Sequence, residues 1–292
     1  MVWTAGNKLA VAVSEAGGLG LIGAGSMKPE LLREHIRKAR AGTSFPFGVN
    51  IPLMREDADR LVEATIDEGV KIVFTSSGHP LKYTERLKQA GCIVTHVVAA
   101  VKHARKAADA GCDAVVAEGF EAGGHNGVDE ITTLTLVPQV ADAVAIPVIA
   151  AGGIADGRGI AAALALGAGG VQVGTRFAVT QESSAHDIYK RIVADAKDCD
   201  TILTLKKVTP VRMIKTPFAR KALAAEQRGA SREELLELLG HKRERAGIFE
   251  GNIEEGEFEA GQSAGLVNDI PPAGEVVRRM MVEYYAVKRM LP

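Results

Sequence analysis

Residues 150–159 read AAGGIADGRG, and residues 171–177 read VQVGTRF. In each stretch a short apolar run is followed by glycine. A sequence that suits a helix follows the glycines of the first stretch. A nearly continuous apolar run is typical of a strand that is covered on both faces in a parallel sheet. The two stretches therefore predict successive strand and loop units of an α/β fold.

The same unit repeats from the start of the chain to about residue 180. Short apolar runs predict these strands: Leu19–Gly23, Phe47–Ile51, Lys71–Thr75, Ile93–Val98, Ala114–Ala117, Pro147–Ala150 and Gly170–Val173. Amphipathic stretches predict these helices: Gly6–Ala16, Pro29–Ala41, Asp57–Glu68, Leu81–Gln89, Val101–Ala110, Leu134–Val144 and Gly157–Leu166. Such alternation, at about 20 to 30 residues per unit, gives either a doubly wound sheet or an eight-stranded barrel.

The number of strands favours the barrel, a (β/α)₈ TIM barrel. Seven strands do not close such a barrel. The chain also opens directly on the predicted helix Gly6–Ala16, with only Met1–Thr4 before it. We therefore expect the first barrel strand to be missing or truncated, with its sequence upstream of Met1.

The repeat stops after Phe177, and the sequence becomes more polar. Basic residues crowd together, which suits a solvated face; they are Lys206, Lys207, Arg212, Lys215, Arg220 and Lys221. Ser231 and Glu234 form a capping box ahead of a leucine-rich helix. We expect a barrel over residues 1–200, an inserted helical cap on the substrate side over 201–270, and a C-terminal helix within 271–292 that packs on the barrel.

Composition excludes several classes of protein. The 292 residues are 47% hydrophobic and 24% charged, which argues against a disordered chain. The formal net charge is -1, so the protein has no overall electrostatic field that would attract nucleic acid or an anionic membrane. Three cysteines suit neither a disulfide framework nor a zinc cluster, so each is predicted to be a small core residue. No signal peptide or membrane span is evident, and we expect a cytoplasmic protein.

The two late glycine loops are the first candidate for chemistry. Gly152 and Gly153 follow one predicted strand, and Gly174 and Thr175 follow the next. Loops after the last two strands of a barrel commonly bind phosphate through backbone amides and helix N-termini. The alternative is that both loops are only tight turns. The G-x-G-x-x-G formed by Gly18, Gly20 and Gly23 is rejected as a dinucleotide site because the strand lies inside it.

The second candidate is the loop EGFEAGGHNG, residues 118–127, at the end of a predicted strand. Catalytic groups of barrels lie at the carboxyl ends of strands, and paired glycines let a flat ligand approach the backbone. His125 is therefore the best acid or base, although a lone loop histidine is more often a surface residue. Glu118 suits a ligand hydroxyl or ring N–H, or simply caps a helix.

Two further polar residues lie in predicted strands. Asn50 lies near the end of Phe47–Ile51, at the mouth of the barrel, or it forms a turn. Gln172 lies within the last strand, where a buried amide needs partners. No His and Glu cluster has the spacing of a metal site, and no nucleophile elbow or Walker loop occurs.

With these residues assembled, the chain resembles the FMN-dependent barrel family that contains nitronate monooxygenases (2-nitropropane dioxygenases) and the flavin-type enoyl-acyl carrier protein reductase II. The resemblance runs from Met1 to the C-terminus. It rests on six ordered motifs: AGGLGLIGAGSM at 16–27, PFGVNIPL at 46–53, AEGFEAGGHNG at 117–127, AAGGIADGRG at 150–159, VQVGTRF at 171–177 and EAGQSAGL at 259–266.

The resemblance implies a set of site residues. It places the FMN phosphate on Gly152, Gly153, Gly174 and Thr175, sets Glu118 and Gly123 beside the flavin, and makes His125 the catalytic residue. Asn50, Ala151 and Gln172 complete the expected cofactor-binding set. The family normally begins with a strand that ends in a Gly-Gly-Met turn, and that strand is absent before Met1.

The resemblance leaves the reaction open. The motif EAGGHNG and residues 247–266 look closer to the reductase branch, so we expect NADH or NADPH to reduce enoyl thioesters through the flavin, with His125 as the acid. The first alternative is a nitronate monooxygenase that uses oxygen, and the second is a flavin-binding module without turnover. The expected substrate is a small molecule or is bound to acyl carrier protein, which the basic run at 206–221 would receive. We expect a homodimer, with no nucleic-acid or membrane partner.

Overall fold

The fold is built on a parallel sheet of seven strands. A computed structural model describes residues 1–290. In chain order the strands of the sheet are β1 (Gly20–Gly23), β2 (Phe47–Pro52), β3 (Ile72–Ser76), β4 (Ile93–Val98), β5 (Ala114–Glu118), β7 (Val148–Ala151) and β8 (Gly170–Gln172), and each pairs with the next. A two-residue strand, β6 (Gly124–His125), lies in the loop after β5. All seven predicted strands are confirmed.

Helices cover the outer face of the sheet. They are α1 (Asn7–Glu15), α2 (Pro29–Gly42), α3 (Ala58–Asp67), α4 (Leu81–Gln89), α5 (Val101–Asp109), α6 (Thr133–Ala143) and α7 (Gly157–Ala165), and a short helix α8 (Thr175–Ala178) follows β8. Residues such as Leu32, Leu61 and Leu136 are fully buried against the strands, so the main core lies between helices and sheet. A smaller apolar cluster, with Phe74 and Val116, fills the concave face.

The sheet curls into a half-barrel with β1 and β8 at its two edges. Within residues 1–290 the arrangement is that of a TIM barrel from which one strand is missing, as predicted. Residues Met1–Ala5 run beside β1, where the Gly23 amide donates to the Ala5 carbonyl oxygen at 2.9 Å.

The cap contains helices and also strands. Helix α9 (Asp187–Ala194) precedes the cap. Within the cap, helices α10 (Pro217–Gln227) and α11 (Arg232–Leu239) follow the strands β9 (Thr201–Thr204) and β10 (Val211–Ile214), and a π-helical turn at Arg245–Phe249 comes after them. The predicted capping box of Ser231 and Glu234 is confirmed. The two strands were not predicted because they lie in a stretch where polar and basic residues interrupt the apolar pattern. They form an antiparallel sheet with the loop strand, in the order β6-β10-β9.

The C-terminal helix α12 (Ala273–Met290) packs on α7 and α1. Its Glu283 accepts a hydrogen bond from the Gly157 amide at 2.9 Å, at the start of α7. The last two residues of the predicted 271–292 segment lie outside the described residues. In the described part of the chain, no helix is long and apolar enough to cross a membrane.

The cysteine prediction is correct at two positions of three. Cys92 and Cys112 are buried, whereas Cys199 is exposed. Cys199 lies in the turn before β9 and not on an apolar face, so its prediction as a core residue is wrong.

Candidate active site

Polar side chains converge on the concave face at the carboxyl ends of the strands. Paired residues of neighbouring parallel strands share one face of a sheet. The pairs Pro52 with Ser76 and Ala151 with both Glu118 and Gln172 set the register at this end. Following that register, four polar residues share the face of the apolar cluster around Phe74, namely Asn50, Ser76, Glu118 and Gln172. Three of them are predicted site residues, while Ser76 was missed because it follows the last residue of the predicted strand.

The two amides of this face differ in their partners. The Oδ1 atom of Asn50 accepts a hydrogen bond from the Ser76 hydroxyl at 3.3 Å. The Oε1 atom of Gln172 is buried and has no protein partner in the described residues. A buried amide oxygen without a donor costs about 1 to 3 kcal/mol. The Gln172 side chain is therefore suited to a ligand that donates an N–H or O–H group into the half-barrel.

Glu118 ends β5 between these amides and is half-buried. Burial raises the pKa of Glu118 from 4.5 to about 7. A carboxyl group with this pKa holds a proton for much of the time at neutral pH, so it can donate to a ligand oxygen or nitrogen as well as accept. Ala151, its neighbour on β7, is buried in the apolar cluster and forms the floor beside it.

The two glycine loops follow the strands β7 and β8. Gly152 and Gly153 have φ angles of +93° and +72°, a backbone region that favours glycine. A Cβ atom at Gly152 would lie 2.6 Å from the Gly119 carbonyl oxygen. The amides of Gly152, Gly153 and Gly174 have no protein acceptor within residues 1–290. These free amides are donors available to an anion.

The N-terminal amides of α7 are not available to an anion, because they already have protein acceptors. The Asp156 carboxylate accepts from the amides of Arg158 and Gly159, at 2.9 and 3.1 Å, and Glu283 accepts from Gly157. The predicted contribution of helix N-termini to phosphate binding therefore does not include α7. The Thr175 hydroxyl also has a protein partner, since it accepts from the Gly261 amide at 2.9 Å.

The barrel holds residues 119–127 through a contact with helix α6. The Glu121 carboxylate accepts from the Thr133 amide, with N to O distances of 2.9 and 3.1 Å, and so caps α6. Gly123 lies against the crossing cap backbone, where a Cβ atom would approach the Gly261 amide nitrogen to 2.6 Å. This contact alone requires glycine at position 123.

The cap also holds this loop, through strand pairing. Strand β10 pairs with β6, placing Val211 opposite His125 and Arg212 opposite Gly124. Arg212 is buried and donates from Nε to the Phe120 carbonyl oxygen at 3.0 Å. Its expected place on a solvated basic face is therefore wrong, because it projects from a paired strand toward the loop. The cap thus fixes the loop that carries His125.

His125 lies at the mouth with 66% of its side chain exposed, and its Nδ1 is 3.7 Å from Oε1 of Glu259. Glu259 has only 13% of its side chain exposed. Burial raises the pKa of Glu259, and the nearby His125 lowers it. Glu259 was missed as a site residue although it begins the motif EAGQSAGL, because no sequence spacing connects position 259 with position 125.

The assembled residues fit a flavin. The unpaired Oε1 atom of Gln172 and the Glu118 carboxyl, whose pKa is raised to about 7, suit a ring that has both N–H and carbonyl groups. The free glycine amides suit a phosphate. In residues 1–290, no group of three or more His, Cys, Asp or Glu side chains is placed to hold a metal ion.

Comparison with known proteins decides the family. The family model described as nitronate monooxygenase matches residues 1–60 and 57–283. The chain belongs to the nitronate monooxygenase family. Together with the structural relatives, this membership makes the protein a flavin-dependent oxidoreductase.

Individual relatives of this family member carry different names. FabK from Thermotoga maritima, a solved structure, is 46% identical with a TM-score of 0.95, covering 100% of this chain and 92% of that one. The (3aS,4S,5R,7aS)-5-hydroxy-7a-methyl-1-oxo-octahydro-1H-indene-4-carboxyl-CoA dehydrogenase of Mycobacterium tuberculosis is 36% identical, over 97% of this chain and 90% of that protein. A probable nitronate monooxygenase of Staphylococcus aureus is 35% identical over 68% of each chain.

Proposed function

We propose that this family member is an FMN-dependent reductase that uses NADH or NADPH to reduce the double bond of enoyl thioesters. The observation that carries the proposal is the pattern of its relatives. The structure of FabK, an enoyl-acyl carrier protein reductase II, is matched at 46% identity along the whole chain. The dehydrogenase named for a coenzyme A thioester is matched along 97% of it. Both point to an acyl thioester as the substrate class.

The cofactor would be held by residues on three sides. The free amides of Gly152, Gly153 and Gly174, with Thr175 beside them, would hold the phosphate. Gln172, Asn50 and Glu118 would meet the polar edge of the ring above the Ala151 floor, with Gly123 in the bordering loop. Bound FMN would supply the hydride chemistry of the reaction.

His125 would hold the proton that the reduced substrate needs. Its Nδ1 lies toward Glu259, which leaves Nε2 as the atom for the substrate. Protonation of the α-carbon completes the reduction after hydride has reached the β-carbon. General acid groups of this kind contribute about a hundred- to ten-thousand-fold to the rate.

An acyl carrier protein would dock on the exposed part of the basic run. Lys206 pairs with Glu130, while Lys207 and Lys215 donate to backbone carbonyl oxygens and pair with no carboxylate in the described residues. Lys206 and Lys207 lie in the turn between β9 and β10, and Lys215 directly follows β10. Docking of an acidic carrier there would bring its thioester to the mouth that His125 occupies.

Paired assays test the proposal. In the first, crotonyl thioester and NADH or NADPH are mixed with the purified protein without oxygen, and oxidation of the nicotinamide is followed. In the second, a nitronate is supplied with oxygen and no nicotinamide. We expect turnover in the first assay.

The alternative is nitronate oxidation, which the family model and the Staphylococcus aureus relatives favour. Rapid nitronate oxidation without enoyl reduction would decide for it. A protein that binds FMN but turns over in neither assay would be a flavin-binding module.

A further inference from the structure

We propose that the barrel helix α5 and the turn between β9 and β10 together form the docking surface for an acidic acyl carrier protein, an inference that deepens the proposed function and rests on it. We call this the junction surface. It consists of three cations of α5 and two of the cap, namely Lys102, Arg105, Lys106, Lys206 and Lys207. The cap half belongs to the basic run at 206–221, whereas the barrel half lies about 100 residues earlier in the chain.

The barrel half of the junction surface lies at the mouth of the half-barrel. Helix α5 follows β4, so its first turn starts at the carboxyl end of the parallel sheet. A Cβ atom on Gly127 would lie 2.5 Å from the Cβ atom of Ala99, so the loop after His125 rests on the turn that leads into α5. The candidate acid and the start of α5 are therefore neighbours.

Two adjacent carboxylates join the barrel half to the cap half. Nζ of Lys102, on α5, is 3.5 Å from Oδ2 of Asp129. Nζ of Lys206, in the turn between the cap strands, is 2.5 Å from Oε1 of Glu130. Neighbouring residues of one loop thus hold a cation of the barrel and a cation of the cap, so the two groups of cations lie side by side.

Most of the positive charge on this surface has no carboxylate partner. Lys102 is the one cation of α5 that forms an ion pair within residues 1–290. Arg105 and Lys106 are exposed, three and four residues after Lys102, and therefore lie on the same side of the helix. Burial and the charges of Lys102 and Lys106 lower the pKa of the His103 ring, which is thus largely neutral at pH 7. Lys207 donates to two backbone carbonyl oxygens.

The chemistry of the surface favours a folded acidic protein. The net charge of the whole chain is -1, so these cations are a local concentration. Val128, 72% exposed, offers an apolar contact among them. Asp129 and Glu130 stand between the cations and would repel a nucleic-acid backbone or a lipid surface, which are negative throughout, whereas a protein can place single acidic side chains opposite each cation. The one carboxylate of α5, Asp109, is at its last residue, away from the mouth.

A carrier on this surface would lie over the loop that continues from His125. Charge complementarity of this kind speeds encounter and stabilises the complex, and it leaves the chemical step unchanged. The inference therefore predicts an effect on KM for a carrier-bound substrate and not on kcat.

The test is the double variant Arg105→Glu/Lys106→Glu, because neither side chain forms an ion pair within residues 1–290 that the fold would lose. KM and kcat of the purified, FMN-loaded full chain are measured for crotonyl-acyl carrier protein and for crotonyl-coenzyme A. We expect KM for the carrier substrate to rise about tenfold, with less than about a twofold change in kcat. KM for the coenzyme A substrate, which has phosphates but no protein to dock, should change less than about twofold. An ionic strength of about 0.5 M should remove most of the difference.

Lys8→Glu/Lys288→Glu is the matched control. It makes the same change in net charge at two exposed cations of α1 and α12, helices that pack on each other. Two strands of the sheet separate β1, on which α1 packs, from β4, which leads into α5. We expect the control to leave KM for both substrates as in the wild type.

The outcomes separate this inference from the proposed function. An unchanged KM for the carrier substrate in the α5 variant would remove α5 from the docking surface. An equal rise for both substrates would assign the cations to the phosphates of coenzyme A and overturn the protein partner. If the wild type reduces neither thioester, the proposed function fails, and the surface is tested by fluorescence anisotropy with labelled holo-acyl carrier protein. Equal Kd values for the wild type and the α5 variant, or a DNA duplex that binds the wild type as tightly as the carrier does, would then overturn the inference.

Discussion

The guanidinium carbon of Arg212 lies 5.0 Å from the centre of the Phe120 ring, and the Arg212 Nε donates to the carbonyl oxygen of the same residue at 3.0 Å. One cap residue thus contacts both the ring and the backbone of the barrel loop. Phe120 lies between Glu118 and His125 along the chain. The orientation of the candidate catalytic loop therefore depends on a buried cation of the cap.

Arg212→Met keeps the aliphatic stem of the side chain and removes this contact. We expect it to lower kcat/KM for the enoyl thioester at least tenfold and to lower the free energy of unfolding by about 1 to 3 kcal/mol, because the Phe120 carbonyl loses a charged donor. Steady-state kinetics and urea unfolding measure the two effects. Arg228→Met is the control, because Arg228 is an exposed arginine at the end of α10 and lies outside the basic run. Equal activity of the two variants would contradict the role given to Arg212.

His125→Ala tests the role proposed for His125 as the acid. Turnover should fall by about a hundred- to ten-thousand-fold while the flavin stays bound, because the ring is exposed and does not support the fold. Flavin absorbance after gel filtration and anaerobic turnover are the measurements. A fully active variant would remove the histidine from either chemistry.

Gly152→Ala tests the phosphate loop. Its φ is +93° and the new Cβ atom would meet the Gly119 carbonyl oxygen, so the loop must move and the affinity for FMN should fall at least tenfold. Gly229→Ala is the matched control, with φ +84° and open space around it. Its cost should be limited to about 1 kcal/mol of backbone strain. Equal FMN affinity in the two variants, measured by fluorescence titration, would show that the Gly152 loop does not bind the cofactor.

Glu257→Gln should change how stability depends on pH. The folded-state pKa of Glu257, about 8, lies above the ordinary value of 4.5, so the folded protein holds this proton more tightly than the unfolded chain does. The stability of the wild type is therefore present at low pH and is lost as the pH rises from about 4.5 through about 8. We expect the variant to be more stable than the wild type by on the order of 2 kcal/mol at pH 8.5, with no difference near pH 4.5. Urea unfolding at both pH values measures this, and a difference that does not vary with pH would refute it.

The barrel could be predicted from sequence because its strands are buried on both faces and are apolar throughout. β4 and the helix α4 match their predicted bounds, and the other strands of the sheet differ by one or two residues. The cap strands β9 and β10 could not be predicted in this way, since their pairing with β6 depends on contacts between distant segments.

The candidate site likewise contains residues that could be predicted from the sequence and residues that could not. Asn50 and Glu118 were predicted because they lie near strand ends, and Gln172 was predicted because a buried amide within a strand needs partners. Strand register then brings the three residues to one face. Glu259 and Arg212 were not predicted because their roles arise where the cap crosses the barrel. A surface position was expected for Arg212 because charged residues surround it in sequence, whereas in the structure it is buried against Phe120.

The sheet β6-β10-β9 has a consequence for how ligands come and go. His125 pairs with Val211, and the Asn126 amide donates to the Pro210 carbonyl oxygen at 2.9 Å, so the histidine loop is joined to the cap through backbone hydrogen bonds. Any swing of the cap away from the barrel carries His125 with it or breaks those bonds. The position of the cap and the position of His125 are thus linked through the backbone, and the proton-donor role proposed for His125 would depend on where the cap lies.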